Sequence, residues 1–158
     1  MQIGKLFANF PEFFDLFKSC NRNRSDSWCG QCAKCLSVFL TMYPFVPRFT
    51  LRKIFGSDLF DREENVPILR ELAGFDVKPF ECVATTAEIV AALALAVHKV
   101  KSSGESLPVV LQWALRNVAG VGDEGAAESI LRSYGPHRIP QELESFLTKA
   151  LNKSPRSL

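Results

Sequence analysis

Apolar positions along the chain recur mostly at intervals of three and four, and strand-like alternation is scarce. This pattern predicts short helices separated by proline, glycine and polar punctuation. Pro11 to Lys18 reads as a short helix opened by proline in its first turn. After a polar loop, Ser19 to Ser27, helical spacing resumes at Gln31 or Cys32 and runs to Tyr43, where Pro44 stops it. Thr50 to Phe55 is a short basic helix closed by Gly56. Asn65 is expected to cap a helix running to Ala73, with Gly74 as its stop. Thr85 and Glu88 have capping-box spacing, and the helix they start is apolar nearly all round to about Val100, which predicts a place in the middle of the core. Pro108 opens the next helix, with Leu107, Val110, Leu111, Ala114, Leu115 and Val118 at helical spacing and Gly120 at its end. Asp123 caps another that stops at Gly135-Pro136. Pro140 starts the last, with Leu143, Phe146, Leu147, Ala150 and Leu151 on one face. The expected fold class is mainly α, a small helical domain.

Composition narrows this picture. A chain of 158 residues with 47% hydrophobic and 23% charged residues has enough apolar side chain to fold as one unit, so disorder over most of its length is excluded. The most apolar stretch, Ile89 to Val97, has nine residues, and a membrane span needs roughly 20. Glu12 and Asp15 interrupt an N-terminal region that lacks the features of a targeting signal, so a cytoplasmic protein is expected, with cysteines read as thiols or metal ligands. The first residues already resemble the interior of a fold, and a further part upstream is expected.

Charge is unevenly spread. Seven basic residues (Lys18, Arg22, Arg24, Lys34, Arg48, Arg52, Lys53) face one acid, Asp26, between Lys18 and Lys53, although the whole chain carries only +2. An anionic ligand near this region would explain the surplus, and so would a solvated basic face.

The basic stretch surrounds Cys20, Cys29, Cys32 and Cys35, spaced C-x8-C-x2-C-x2-C. Zinc takes four soft ligands in a tetrahedron, and a C-x2-C turn with Gly30 inside it can bring two thiolates to one side of an ion. Cys35 lies one helical turn beyond Cys32, and Cys20 returns from the far end of the loop. A four-cysteine zinc site near the N-terminus is therefore expected to hold the fold, because no coordination position stays open for chemistry. Spacing alone leaves an iron–sulfur cluster open. Trp28-Cys29-Gly30-Gln31-Cys32 also resembles a thioredoxin redox site, which would make Cys29 and Cys32 a thiol oxidoreductase pair. The expected organisation is a zinc-binding segment with flanking helices over 1–56, a helical bundle over 57–152 and a frayed tail over 153–158, in one compact unit.

Other candidates are weaker. Asn21, Arg22, Asn23 and Arg24 lie inside the cysteine loop, where arginine could grip a phosphate or carboxylate, or simply satisfy loop backbone and solvent. Cys82 beside Glu81, just after Lys78 and before a helix start, could move a proton at an acidic carbon, or be a small core residue. Asp58, Asp61, Glu63 and Glu64 could hold magnesium or form a solvated loop. His98 reads as structural and His137 as a loop residue. A zinc-stabilised nucleic-acid module would account for the basic stretch, but Phe39, Tyr43, Phe45 and Phe49 have helical or core-like spacing, which argues against nucleic acid as a partner.

Taken in order, Ser19-Cys20-Asn21-Arg22-Asn23, then Trp28-Cys29-Gly30-Gln31-Cys32-Ala33-Lys34-Cys35, then Lys78-Pro79-Phe80-Glu81-Cys82-Val83 resemble one family, the UDP-N-acetylmuramoyl-L-alanyl-L-glutamate epimerases (MurL) of bacterial peptidoglycan synthesis. The likeness covers about Lys5 to Leu95 and falls in the C-terminal part of that enzyme. It implies conversion of the terminal L-glutamate of UDP-MurNAc-L-Ala-L-Glu to D-glutamate with ATP and magnesium, activation of the α-carboxyl by adenylation being a plausible route. In that frame Arg22 and Arg24, with Asn21 and Asn23, would contact the UDP-linked muramoyl dipeptide, and Lys78, Glu81 and Cys82 would belong to the proton-transfer region. The cysteine segment is also similar to the zinc segment closing the PP-loop synthetases. The S-G-G-x-D-S type loop that such enzymes use for pyrophosphate does not occur here. Nucleotide binding is therefore expected on an upstream domain, and this chain alone is not expected to turn over substrate.

Overall fold

The computed structural model describes residues 1–22, 27–132 and 138–153. Among the described residues it holds eight α-helices and no strand. They are α1 (Gln2–Phe7), α2 (Ala33–Met42), α3 (Arg48–Phe55), α4 (Asn65–Leu72), α5 (Thr86–Ser102), α6 (Val109–Asn117), α7 (Glu124–Arg132) and α8 (Gln141–Lys153). The mainly α expectation holds. None of these helices is long and apolar enough to cross a membrane.

The core is built on α5. Its start is the expected capping box: the Glu88 N–H donates to Thr85 Oγ1 at 3.2 Å, and the Thr85 N–H donates to Glu88 Oε2 at 3.0 Å. Ile89, Leu93 and Val100 are buried together with the alanines at 91, 92, 94 and 96. These small residues let neighbouring helices approach on several sides at once. α5 packs against α2, α6 and α7, and α2 in turn carries α1, α3 and α4. α2 and α5 together form the spine.

Lys99 fastens the two. Its ammonium reaches from α5 to donate to the carbonyls of Tyr43 at 2.9 Å and Val46 at 3.0 Å, just past the end of α2. These are carbonyls left without a helical partner, at the negative end of the α2 dipole. Burial pulls the Lys99 pKa below the ordinary lysine value. The unfolded chain therefore holds the proton more tightly than the folded one, so this lysine's contribution to stability rises with pH up to its ordinary range and falls again as the pH drops through its folded value. In denaturation series from neutral to alkaline pH, the wild type is expected to gain stability relative to Lys99→Met as pH rises. Parallel curves for the two proteins would show that the charge is not buried.

Four elements differ from expectation. The chain from Pro11 makes a 3-10 turn, Pro11–Phe13, instead of a helix to Lys18. The tighter path brings Phe14 and Phe17 onto Phe7, with ring centroids 5.3 and 5.0 Å apart, at the cost of leaving Phe13 and Leu16 exposed. Asn65 does not cap α4. Its side chain is buried and donates to the Leu59 carbonyl at 2.8 Å. α1 has no helical signature of its own, with Gly4 at its centre. It exists because it lies hard against α2, where a Cβ on Gly4 would come within 2.6 Å of the Thr41 carbonyl oxygen. The last helix buries Leu151 but leaves Leu143 and Phe146 exposed, so only part of its predicted apolar face meets the body.

Part of the basic stretch is neutralised within the fold. Arg48, at the start of α3, donates through Nε to Asp58, through Nη2 to Asp61 at 3.0 Å and through Nη1 to Glu105 at 2.8 Å. Arg52, one turn on, reaches Asp61 at 3.0 Å and Asp58 at 3.3 Å. Burial opposes the Arg48 charge, but Asp58 and Glu105 outweigh it and hold the guanidinium protonated. Asp58 and Asp61 are thus engaged by arginines and are not a magnesium site. Two of the seven cations also lose their value as a phosphate-binding face, which weakens the nucleic-acid reading.

Candidate metal centre

The loop between Phe17 and α2 folds over an aromatic floor. Trp28 lies between Phe17 and Phe55, with centroids 5.4 and 4.6 Å away, and Phe39 stands edge-on to both Phe55 and Phe60. This floor holds Cys29 and Cys20 above the start of α2. Gly30 makes the turn between them and Cys32 with a φ of +64°, a region that favours glycine. A Cβ at that position would also meet Arg62 Nη1 at 3.1 Å and Leu59 Cδ2 at 3.2 Å.

The four expected sulfurs come together. Cys20, Cys29, Cys32 and Cys35 place their Sγ atoms all within 4.8 Å of one another. Individual separations are 4.0 Å for Cys20–Cys32, 3.6 Å for Cys29–Cys35 and 3.4 Å for Cys32–Cys35. A tetrahedron with metal–sulfur bonds of about 2.3 Å has edges of about 3.8 Å. The donor set therefore fits one ion held by four thiolates. A cluster that puts each cysteine on a different iron would spread the sulfurs further apart. Backbone amides point at the sulfurs, among them those of Gln31, whose N–H donates to Cys29 at 3.5 Å, and Cys35, whose N–H donates to Cys32 at 3.4 Å. Such bonds favour the charged thiolate.

Burial pushes the Cys32 and Cys35 thiols up. At Cys20 burial acts in the same direction, but donation from the backbone of Cys29 and Arg22 outweighs it and draws the pKa down to about 7. Without a cation this site would hold protons against a buried sulfur cluster. A divalent ion replaces them and satisfies all four sulfurs together. No strand precedes Trp28 among the described residues, and Cys32 is as close to Cys35 as to any other sulfur, so Cys29 and Cys32 do not stand apart as a redox pair.

The segment from Lys78 to Ala84 is brought to the same helix start. Glu81 Oε2 accepts from the backbone N–H of Lys34 at 3.0 Å, Lys34 Nζ donates to the Cys82 carbonyl, and the Ala84 N–H donates to Ser37 Oγ at 3.1 Å. Lys34 and Ser37 lie one turn apart on the face of α2 that receives the segment. Exposure alternates along it: Glu81 and Val83 turn inward, whereas Phe80 and Cys82 are exposed, as is Lys78. The three proton-transfer candidates are therefore split, with Glu81 engaged at α2 and Lys78 and Cys82 facing outward.

Of the loop candidates, Asn21 and Arg22 are exposed, and Arg22 Nη1 reaches the Gln31 carbonyl at 3.5 Å. Asn23 and Arg24 lie outside the described residues, as does His137. His98 is exposed on α5, with Nε2 3.2 Å from Ser102 Oγ. The residues that sequence reasoning passed over are Lys34 and Ser37. Their signal was the i, i+3 spacing on the helix that also carries Cys35, which acquires meaning only once a second segment lies against it.

Residues 16–128 match the model of the family described as the MurL C-terminal domain. Among curated proteins, the chain is 38% identical over 89% of its length to a UDP-N-acetyl-alpha-D-muramoyl-L-alanyl-L-glutamate epimerase of Micromonospora sp., covering 32% of that protein. It is 43% identical over 60% of its length to the protein of the same name from Salinispora tropica, covering 22% of it. With the one from Xanthomonas oryzae pv. oryzae it shares 31% identity over 90% of its length, and covers 33% of it. The chain thus spans at most about a third of the length of the curated relatives it matches. No solved structure matches it.

Proposed function

Because this chain belongs to the MurL C-terminal domain family, we propose that it is the C-terminal third of a cytoplasmic, ATP- and magnesium-dependent epimerase. Its reaction would convert the terminal L-glutamate of UDP-MurNAc-L-Ala-L-Glu to D-glutamate for peptidoglycan synthesis. The observation that carries this reading is the identity of 38% maintained over 89% of the chain with a protein bearing that name. Nucleotide activation is assigned to the part of such relatives that this chain does not match. This chain alone is accordingly expected to be inactive.

Within the chain, the four cysteines would hold zinc. The ion's full thiolate shell makes its role structural: it supplies no Lewis acid to the substrate and fixes the loop bearing Asn21 and Arg22 against α2. Arg22 would grip a phosphate or carboxylate of the UDP-linked substrate, with Asn21, Asn23 and Arg24 as further candidates. Adenylation of the glutamate α-carboxyl would acidify the adjacent C–H. Lys78 and Cys82, which face outward, are the candidates to carry that proton, and Glu81 joins the region through its hold on α2.

The test joins this chain to the N-terminal two-thirds of the Micromonospora relative and supplies substrate, ATP and magnesium in deuterated water. Deuterium at the glutamate α-carbon and ATP-dependent appearance of D-glutamate are expected. A folded, metal-loaded chimera that leaves the glutamate protiated, beside an active parent, counts against the proposal.

A further inference from the structure

Glu81 and Lys34 do more than join two motifs. The Lys34 N–H that receives the Glu81 carboxylate belongs to the first turn of α2, between Cys32 and Cys35. That turn opens at Cys32, whose sulfur itself accepts from the Cys35 N–H at 3.4 Å. An ion bound to Cys32 and Cys35 clamps the two ends of the turn, and so fixes the direction of the one amide that seats Glu81. Lys34 then brings its ammonium to the Cys82 carbonyl, so the residue that seats Glu81 through its amide also holds the next residue of the segment through its side chain.

We infer that Glu81 and Lys34 are outer-shell positioning residues of the metal centre, coupling ion occupancy to the placement of the Lys78–Cys82 segment. Outer-shell partners hold ligands in orientation and tune affinity. Coupling of this kind is reciprocal: if the ion orders the segment, the segment must tighten the ion by the same factor. The remainder of the segment has little else to hold it. Two tight turns, Glu81 N–H to the Pro79 carbonyl and Val83 N–H to the Glu81 carbonyl, both at 2.8 Å, shape it locally, and Val77 and Phe80 are fully in solvent. Its position on the body therefore depends on Glu81, Lys34, the Ala84–Ser37 bond and the packing of Val83 and Ala84 against the core. This inference rests on the cysteines binding a metal, and stands whether or not the epimerase reading is right.

The experiment loads the whole chain with zinc or cobalt(II) and compares wild type with Glu81→Ala, Glu81→Gln and Lys34→Met. Chelator competition is expected to show metal affinity about tenfold weaker in Glu81→Ala. Glu81→Gln, which keeps an oxygen for the Lys34 N–H but not the charge, should recover part of that loss. The cobalt–thiolate absorption bands should keep the intensity of a four-sulfur site in every variant. Amide exchange at Val83 and Ala84 should quicken when the ion is withdrawn from the wild type. Affinity within twofold of wild type in both Glu81→Ala and Lys34→Met overturns the coupling while leaving the metal site intact. If chelation unfolds the chain, every amide loses protection and the affinity of Glu81→Ala alone decides. Failure of the wild type to bind either ion removes the metal reading itself, and the coupling with it.

Discussion

Replacing Cys35 with serine is expected to abolish stoichiometric metal binding and to unfold the region around α2. Cys35 is fully buried, its sulfur lies 3.4 Å from that of Cys32 and 3.6 Å from that of Cys29, and its N–H serves the Cys32 sulfur. A serine oxygen is a poorer ligand on a shorter arm, and the sulfurs left behind would take up protons in place of the ion that held them together. Structural zinc contributes about 10–16 kcal/mol to folding in small zinc domains, which is comparable to the whole stability of an ordinary domain, about 5–15 kcal/mol. The loss should spread into the aromatic floor, because Trp28 is held between the cysteine loop and Phe55. Metal content by mass spectrometry and near-ultraviolet circular dichroism are the measurements. Serine at the exposed Cys82 is the control, and should leave metal content and spectrum as they are. A Cys35→Ser protein with wild-type metal content and melting would sink the assignment of this centre.

The second large effect is expected at Arg48. Substituting methionine keeps the length and removes the charge, leaving Asp58 in a site where its side chain is only 2% exposed. Breaking a buried ion pair from one side costs about 3–5 kcal/mol. Arg52 stays within 3.3 Å of Asp58 and Arg48 is itself partly exposed, so about 2–3 kcal/mol is expected here. Adding Asp58→Asn should return part of the loss, since the amide oxygen can still accept from the Phe60 N–H, which lies 2.9 Å from Asp58 Oδ1. Urea denaturation of the four proteins of the cycle measures both numbers. Additive losses would mean that Arg48 and Asp58 do not act together.

Both predictions concern features that the sequence displayed unequally. The cysteine quartet was visible because metal-ligand spacing is local: two turns and one helical step determine where three of the four sulfurs can point. The capping box at Thr85 and the apolar helix behind it were visible for the same reason. The ion pairs of Arg48 were not, because Glu105 is far along the chain and nothing in the spacing of charges says which will meet. Counted by sequence, Lys18 to Lys53 resembled an anion-binding face, and Asp58 with Asp61 resembled a cation site. Folding sets these against each other.

The same division separates the motifs from the site. Helical periodicity, cysteine spacing and cap residues act over a few residues, so the chain's own order determined a helical fold with a four-thiol centre and pointed to its family. Which side chains surround that centre depended on how α2 and the Lys78–Ala84 segment pack, nearly fifty residues apart. Only the packed molecule could turn Glu81 inward onto the Lys34 amide and leave Lys78 and Cys82 facing outward, because a carboxylate goes where an unpaired helix-start N–H is available, and that amide is brought within reach only by the closing of the core.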